Sequence, residues 1–205
     1  MRRALAALPL LLIGFLPLIR PQTGWAQAPA QLSAKPATPT ELPLIDLARY
    51  KQIVARYKGR PLLVTFWATW CEPCREEYPT IVRLSAKYEP KGLAVVGVDM
   101  DDNADMNLVR HFLTQTQPMF PNFRQKPGID LDAFYQGANP DWHGTMPETI
   151  FYGRDGQIAL SFVGEKTPGD FERAIQMILS KPRAALPHAK TYRAQGLPSP
   201  DIAGN

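Results

Sequence analysis

The spacing of apolar positions changes from segment to segment along this chain, and each spacing predicts an element. Leu47, Tyr50, Ile53, Val54 and Tyr57 recur at intervals of three and four, which places them on one face of a helix that Gly59 ends. Residues 61–67 then form a short apolar run rich in strand formers. Residues 72–88 return to helical spacing, with Tyr78, Ile81, Val82, Ser85 and Tyr88 on one side, and residues 93–98 make a second continuous apolar run. Runs without a polar face suit parallel strands covered on both sides. A helix over 104–116 carries Leu108, Val109, Phe112 and Leu113, and 117–146 reads as a long irregular segment. Residues 149–152 and 158–163 form a hairpin around the turn residues Arg154, Asp155 and Gly156. The last helix is signed by Thr167 as cap, Pro168 in the first position and Asp170 in the first turn. Phe171, Ala174, Ile175, Ile178 and Leu179 form its buried stripe.

The order is helix, then β-α-β-α-β-β-α. Strands separated by helices require right-handed parallel crossovers, and the closing hairpin is antiparallel. The expected fold class is α/β: a mixed four-stranded sheet with a βαβαββα core, helices on both faces and an extra N-terminal helix.

The ends of the chain read differently. Arg2 and Arg3 precede an apolar stretch over residues 4–19, broken by Pro9, Gly14 and Pro17, and small residues follow. At 16 residues the stretch is short of the roughly 20 that span a bilayer. Residues 1–26 are therefore expected to be a signal peptide cleaved after Ala26, with an uncleaved membrane anchor through residues 4–19 as the alternative. Residues 27–43 have the Pro- and Ala-rich composition of a linker, 44–180 the domain, and 181–205 a basic tail expected to be disordered. Among 205 residues, 45% hydrophobic, there is material for one domain with a substantial core. The net charge of +4 is largely the export signal's. Taking Arg2, Arg3 and Arg20 from the 23 basic residues leaves 20 against 19 acids, a net of +1. Nothing in this balance supports a nucleic-acid partner.

The chain has two cysteines, in Trp70-Cys71-Glu72-Pro73-Cys74, where the first strand turns into a helix. Unpaired amides at a helix N-terminus stabilise negative charge, so a thiol placed there is pushed toward the nucleophilic thiolate. Cys71, at the helix start, takes most of this effect and is the expected attacking sulfur. Cys74, one turn deeper on the same face, is the expected resolving sulfur. Pro73 fits a first turn without loss of a needed hydrogen bond. A purely structural disulfide would close too short a loop to stabilise much. Half of a zinc site lacks a second cysteine pair, with His111, His143 and His188 scattered. Two inert buried thiols fit poorly with a helix start. No cofactor and no metal site are expected.

The segment Phe66-Trp67-Ala68-Thr69-Trp70-Cys71-Glu72-Pro73-Cys74 resembles the thioredoxin-like TlpA/ResA-type thiol–disulfide oxidoreductases, over roughly residues 42–180. The resemblance implies a thioredoxin-like fold and an exported or membrane-anchored protein in the periplasm, with several members acting as reductants in cytochrome c maturation. Pro79 stands where such proteins carry a proline inside the helix, and Pro147 matches the cis-proline whose loop faces the cysteines. Met146 then takes the position that pairs with the substrate backbone, and Trp67, Trp70, Glu72 and Pro73 complete the implied groove. Glu77 matches a glutamate used near the buried cysteine, and the implied role is proton transfer at Cys74; the alternative is a plain surface glutamate. Thr65 departs from the pattern, because thioredoxin has a buried aspartate there; Thr cannot accept a proton at neutral pH, which shifts that role to Glu77 or water. The peroxidase signature P-x-x-x-T-x-x-C is absent, with Val64 and Ala68 in place of its Pro and Thr.

Further features are read more plainly. Trp142 and His143 precede the Pro147 loop, where Trp142 either packs or marks a partner surface. Asp99, Asp101, Asp102 and Asp105 follow a strand and begin a helix, and are expected to serve the helix dipole rather than a metal. The expected function is an exported reductant of protein disulfides, because Glu72 beside the nucleophile opposes a strongly stabilised thiolate. Expected partners are protein dithiol or disulfide clients and a membrane thiol electron donor, and a monomer is expected. The rival reading is a non-enzymatic redox-sensitive adaptor or copper-chaperone-like module, which the two-residue cysteine spacing disfavours.

Overall fold

Two apolar runs with no polar face must be covered on both sides, and that requirement organises the molecule. The computed structural model describes residues 42–180. In chain order the elements are β1 (Leu44–Ile45), α1 (Leu47–Arg56), β2 (Leu62–Trp67), α2 (Glu72–Tyr88), β3 (Ala94–Asp99), α3 (Met106–Thr116), β4 (Asn122–Gln125), α4 (Leu131–Ala138), β5 (Glu148–Tyr152), β6 (Ile158–Val163) and α5 (Pro168–Ser180). Short 3₁₀ turns occupy Glu89–Lys91 and Asn103–Asp105. The signal peptide, most of the linker and the tail read from the sequence lie outside the described residues.

One sheet runs in the order β1-β4-β3-β2-β5-β6. β2, β3, β4 and β1 are mutually parallel, whereas β5 runs antiparallel to β2 and β6 antiparallel to β5. Every residue of β2, β3 and β5 is buried. Side chains alternate across a strand, so the two faces sort cleanly. Phe66 packs with Tyr50 of α1 and Phe134 of α4 on one face. Trp67 packs with Tyr78 of α2 and Phe112 of α3 on the other, where Phe151 also meets Phe171 of α5.

The fold class holds: the four expected strands are β2, β3, β5 and β6, and β4 and β1 extend their sheet by two. The segment 117–146, expected to be irregular, contains β4 and α4. Residues 42 and 43, assigned to the linker, already belong to this edge: Leu42 is buried and the Pro43 carbonyl accepts from Arg124 N at 3.1 Å. β4 is held by polar anchors rather than apolar ones. Asn122 Oδ1 accepts from Tyr78 Oη at 2.8 Å and from Trp67 Nε1 at 3.3 Å.

Candidate active site

β2 ends at Trp67, and the next four residues turn the chain into α2 beyond the C-terminal end of this central strand. Cys71 caps α2 in an extended conformation (φ −89°, ψ 102°), and its sulfur accepts from the Cys74 amide at 3.3 Å. That contact is the helix N-terminus acting on the sulfur directly. Cys71 and Cys74 are joined, with S–S 2.01 Å and Cα–Cα 5.3 Å. The pair is therefore not two separate buried thiols. Cys71 is 6% exposed and Cys74 2%, so both residues are buried and Cys74 is the more enclosed. Beside them Trp70 is 60% exposed, Glu72 is exposed and Pro73 half-buried.

Strand register brings the second part of the site to the same end of the sheet. Phe66 pairs with Glu148, so Pro147 lies level with the turn that leads to Cys71. The Met146–Pro147 peptide is cis, Pro147 is buried, and Met146 is half-buried. The Pro147 carbonyl accepts from Gly164 N at 2.8 Å, which ties this loop to the one before α5. Trp142 packs rather than marking a surface. It is fully buried between Phe66 and Tyr135, with ring centroids 4.5 Å away on each side, and its Nε1 donates to Thr145 O at 2.8 Å. His143 is exposed.

Trp67 does not line the groove. At 1% exposure, its indole lies beneath α2 and α3, because position 67 falls on the α2/α3 face of a strand covered by helices on both faces.

Glu77 is buried, at 6% exposure, and is not a surface glutamate. Its Oε1 accepts from the Lys166 amide. Burial pushes its carboxyl up to about 7, against the opposing pull of that N–H and of the Lys166 charge. The Lys166 ammonium binds the carbonyls of Val163, Gly164 and Glu165 at 2.9, 3.2 and 3.0 Å. A cavity of about 350 Å³ lined by Glu76, Glu77, Thr80, Glu165 and Lys166 opens beside the carboxyl. A group that titrates near neutrality, one turn along α2 from Cys74, is suited to exchange protons there.

Three buried acids were not identified as such from the sequence. Asp99 and Asp101 do not serve a helix dipole: both are enclosed. Asp101 accepts from Thr69 N at 2.7 Å and from Thr69 Oγ1 at 2.5 Å, and its own N–H donates to Asp99 Oδ1 at 3.2 Å. Burial, then the adjacent Asp101, raises Asp99 to about 9. Neither Asp102 nor Asp105, which stand at the two helix starts, makes a side-chain cap. Glu148 is enclosed on the α1/α4 face, across the sheet from α2. Its Oε1 accepts from Asn139 Nδ2 at 2.8 Å, and burial raises it to about 7. Thr65, between Gly97 and Thr149, is buried and supplies no carboxyl. The available signal was the placement of Asp99 and Glu148 at the ends of otherwise apolar strands, where an acid must be enclosed with a partner.

The chain is 29% identical to the thiol-disulfide oxidoreductase ResA of Bacillus cereus over 133 residues, 65% of this chain and 72% of that protein. It is 31% identical to the thioredoxin-like protein YneN of Bacillus subtilis over 135 residues, 65% of this chain and 74% of YneN. A thiol:disulfide interchange protein of the thioredoxin family from Chlorobium tepidum superposes with a TM-score of 0.54 at 25% identity. That superposition covers 62% of this chain and 84% of that one. The AhpC/TSA family model matches residues 34–161. With the linked Cys71–Cys74 pair at the start of α2, the chain belongs to the AhpC/TSA family and is a thioredoxin-like thiol–disulfide oxidoreductase of the ResA type.

Proposed function

We propose that the protein is an exported, periplasmic reductant of protein disulfides, with Cys71 as nucleophile and Cys74 as resolving residue. The observation that carries this is the Cys71 sulfur held 3.3 Å from the Cys74 amide at the start of α2, with Cys74 buried behind it. In the reduced protein the same amides favour the Cys71 thiolate. That thiolate attacks one sulfur of a client disulfide, the client S–S bond breaks, and one client thiolate leaves. Cys74 then loses its proton, attacks Cys71, and the mixed disulfide breaks to release the second client thiol. The two electrons delivered leave Cys71 and Cys74 oxidised. Glu77 takes the Cys74 proton in the second step.

Trp70, Glu72, Pro73, Met146 and Pro147 form the client groove, with the Met146 backbone free to pair with an extended client segment. The reducing direction is supported by Glu72, exposed in the first turn of α2, whose charge opposes thiolate formation. A protein in an oxidising compartment can act as a reductant only if a membrane thiol donor re-reduces it. An apocytochrome c whose cysteines must be reduced before haem attachment is the client class we favour.

Insulin reduction and the equilibrium potential of the Cys71–Cys74 couple test the reading. Turnover abolished by Cys71→Ser, with a potential more negative than about −180 mV, is expected. A potential near the roughly −120 mV of strong oxidants would reverse the direction.

A further inference from the structure

The β2–β3 ladder does not stop where β2 ends. Trp67 and Asp99 are its last paired residues, and Met100 N still donates to Trp67 O at 2.9 Å. Beyond that, the Asp101 carboxylate takes over from the backbone, gripping Thr69 through both its amide and its hydroxyl. Asp101 is 1% exposed, and its N–H donates to Asp99 Oδ1 at the end of β3, so the grip is mounted on β3 rather than on a loose loop. Thr69 lies two residues before Cys71. Between them Trp70 stands exposed, and the turn is otherwise closed by Cys71 N donating to Ala68 O at 3.2 Å. The place of the Cys71 sulfur over the Cys74 amide thus depends on a turn pinned by two fixtures, one of which is Asp101.

We infer that Asp101 is a positioning residue for the nucleophile: through Thr69 it holds the turn that seats Cys71 on the N-terminus of α2. The inference rests on the proposed role of Cys71. It assigns a chemical consequence to an acid that touches neither sulfur among the hydrogen bonds of the site. Loosening the turn lets the sulfur leave the amides, so Cys71 becomes harder to ionise. A bare buried charge would do the reverse. It would repel the thiolate, and removing it would make Cys71 easier to ionise.

The test is the pH dependence of Cys71 alkylation in the reduced full chain, in wild type, Thr69→Val, Thr69→Ser and Asp101→Asn. Thr69→Val removes the hydroxyl donor and leaves the acid in place. Its midpoint should rise by about one pH unit, with alkylation near neutral pH slowed about tenfold. Thr69→Ser should restore the wild-type midpoint, and Asp101→Asn should raise it. A Thr69→Val midpoint equal to wild type overturns the inference, as does an Asp101→Asn midpoint below wild type. Should Thr69→Val fail to fold, Asp101→Asn decides alone: a rise supports the grip, and no change or a fall overturns it. If wild-type Cys71 itself ionises like a free thiol, the proposed role of Cys71 fails, and that result is distinct from any difference between variants.

Discussion

The backbone amide of Lys166 donates to Glu77 Oε1, while the ammonium of the same residue binds the carbonyl oxygens of Val163, at the end of β6, and of Gly164 and Glu165 in the loop that follows. One residue therefore fixes the loop before α5 and, through it, a carboxyl on the cysteine helix. Gly164 in that loop also donates to the Pro147 carbonyl. The Pro147 loop and the Glu77 carboxyl are joined through residues 164–166, just ahead of α5.

This arrangement predicts the pH profile of resolution. Glu77 is raised to about 7, so it is mostly protonated below that pH and a competent base above it. Collapse of the mixed disulfide, followed by release of the second client thiol in a single turnover, should accelerate through an inflection near pH 7. Glu77→Gln should lose the inflection and run about tenfold to a hundredfold slower at pH 8. Superimposable profiles would remove Glu77 from the mechanism.

Stability should fall with rising pH for a related reason. Glu148 is raised to about 7 and Asp99 to about 9, both chiefly by burial. Unfolded, each ionises near its ordinary value, so the folded state binds the extra protons. Their contribution is full below about pH 4 and is lost as pH rises, through about 7 for Glu148 and about 9 for Asp99. Glu148→Gln keeps an acceptor for Asn139 and removes the ionisation. Urea unfolding at pH 5 and pH 8 should show the variant losing roughly 1–3 kcal/mol less than wild type between the two.

Trp142 tests the scaffold beneath the groove. Its ring fills the space between Phe66 and Tyr135, so Trp142→Ala should cost about 3–5 kcal/mol in urea unfolding. Since Trp142 is enclosed, client affinity should change only as far as the Pro147 loop shifts.

Gly97 is required for a close approach. A Cβ there would lie 1.9 Å from Asn122 Oδ1, the atom that accepts from both Trp67 and Tyr78. Gly97→Ala should destabilise by about 1–3 kcal/mol and alter tryptophan fluorescence, as the hub beneath α2 is displaced. Unchanged emission and stability would show that the hub yields at no cost.

Most of the framework was legible because its signals are local. Residues 72–88 and 158–163 have the periods of their elements, and α2 and β6 coincide with them. β4 was not legible: its sequence Asn-Phe-Arg-Gln has buried polar residues where an apolar pattern would be sought, and its partners are supplied by β3, α2 and β1. The burial of Trp67 is not legible in the sequence, because a strand buried on both faces has no period to say which side a residue takes. Asp101 reads in the sequence as a helix-end acid because its contact with Thr69 joins residues 32 apart in the chain. Motif position identified Glu77, but its enclosure by Lys166 depends on a loop 89 residues away.

Trapping separates the roles proposed for the two sulfurs. Reduced Cys74→Ser mixed with a disulfide-bonded peptide should accumulate a covalent adduct that mass spectrometry maps to Cys71, while Cys71→Ser under the same conditions should accumulate almost none. Equal adduct on the two variants, or adduct on Cys74 alone, would overturn the assignment of Cys71 as nucleophile.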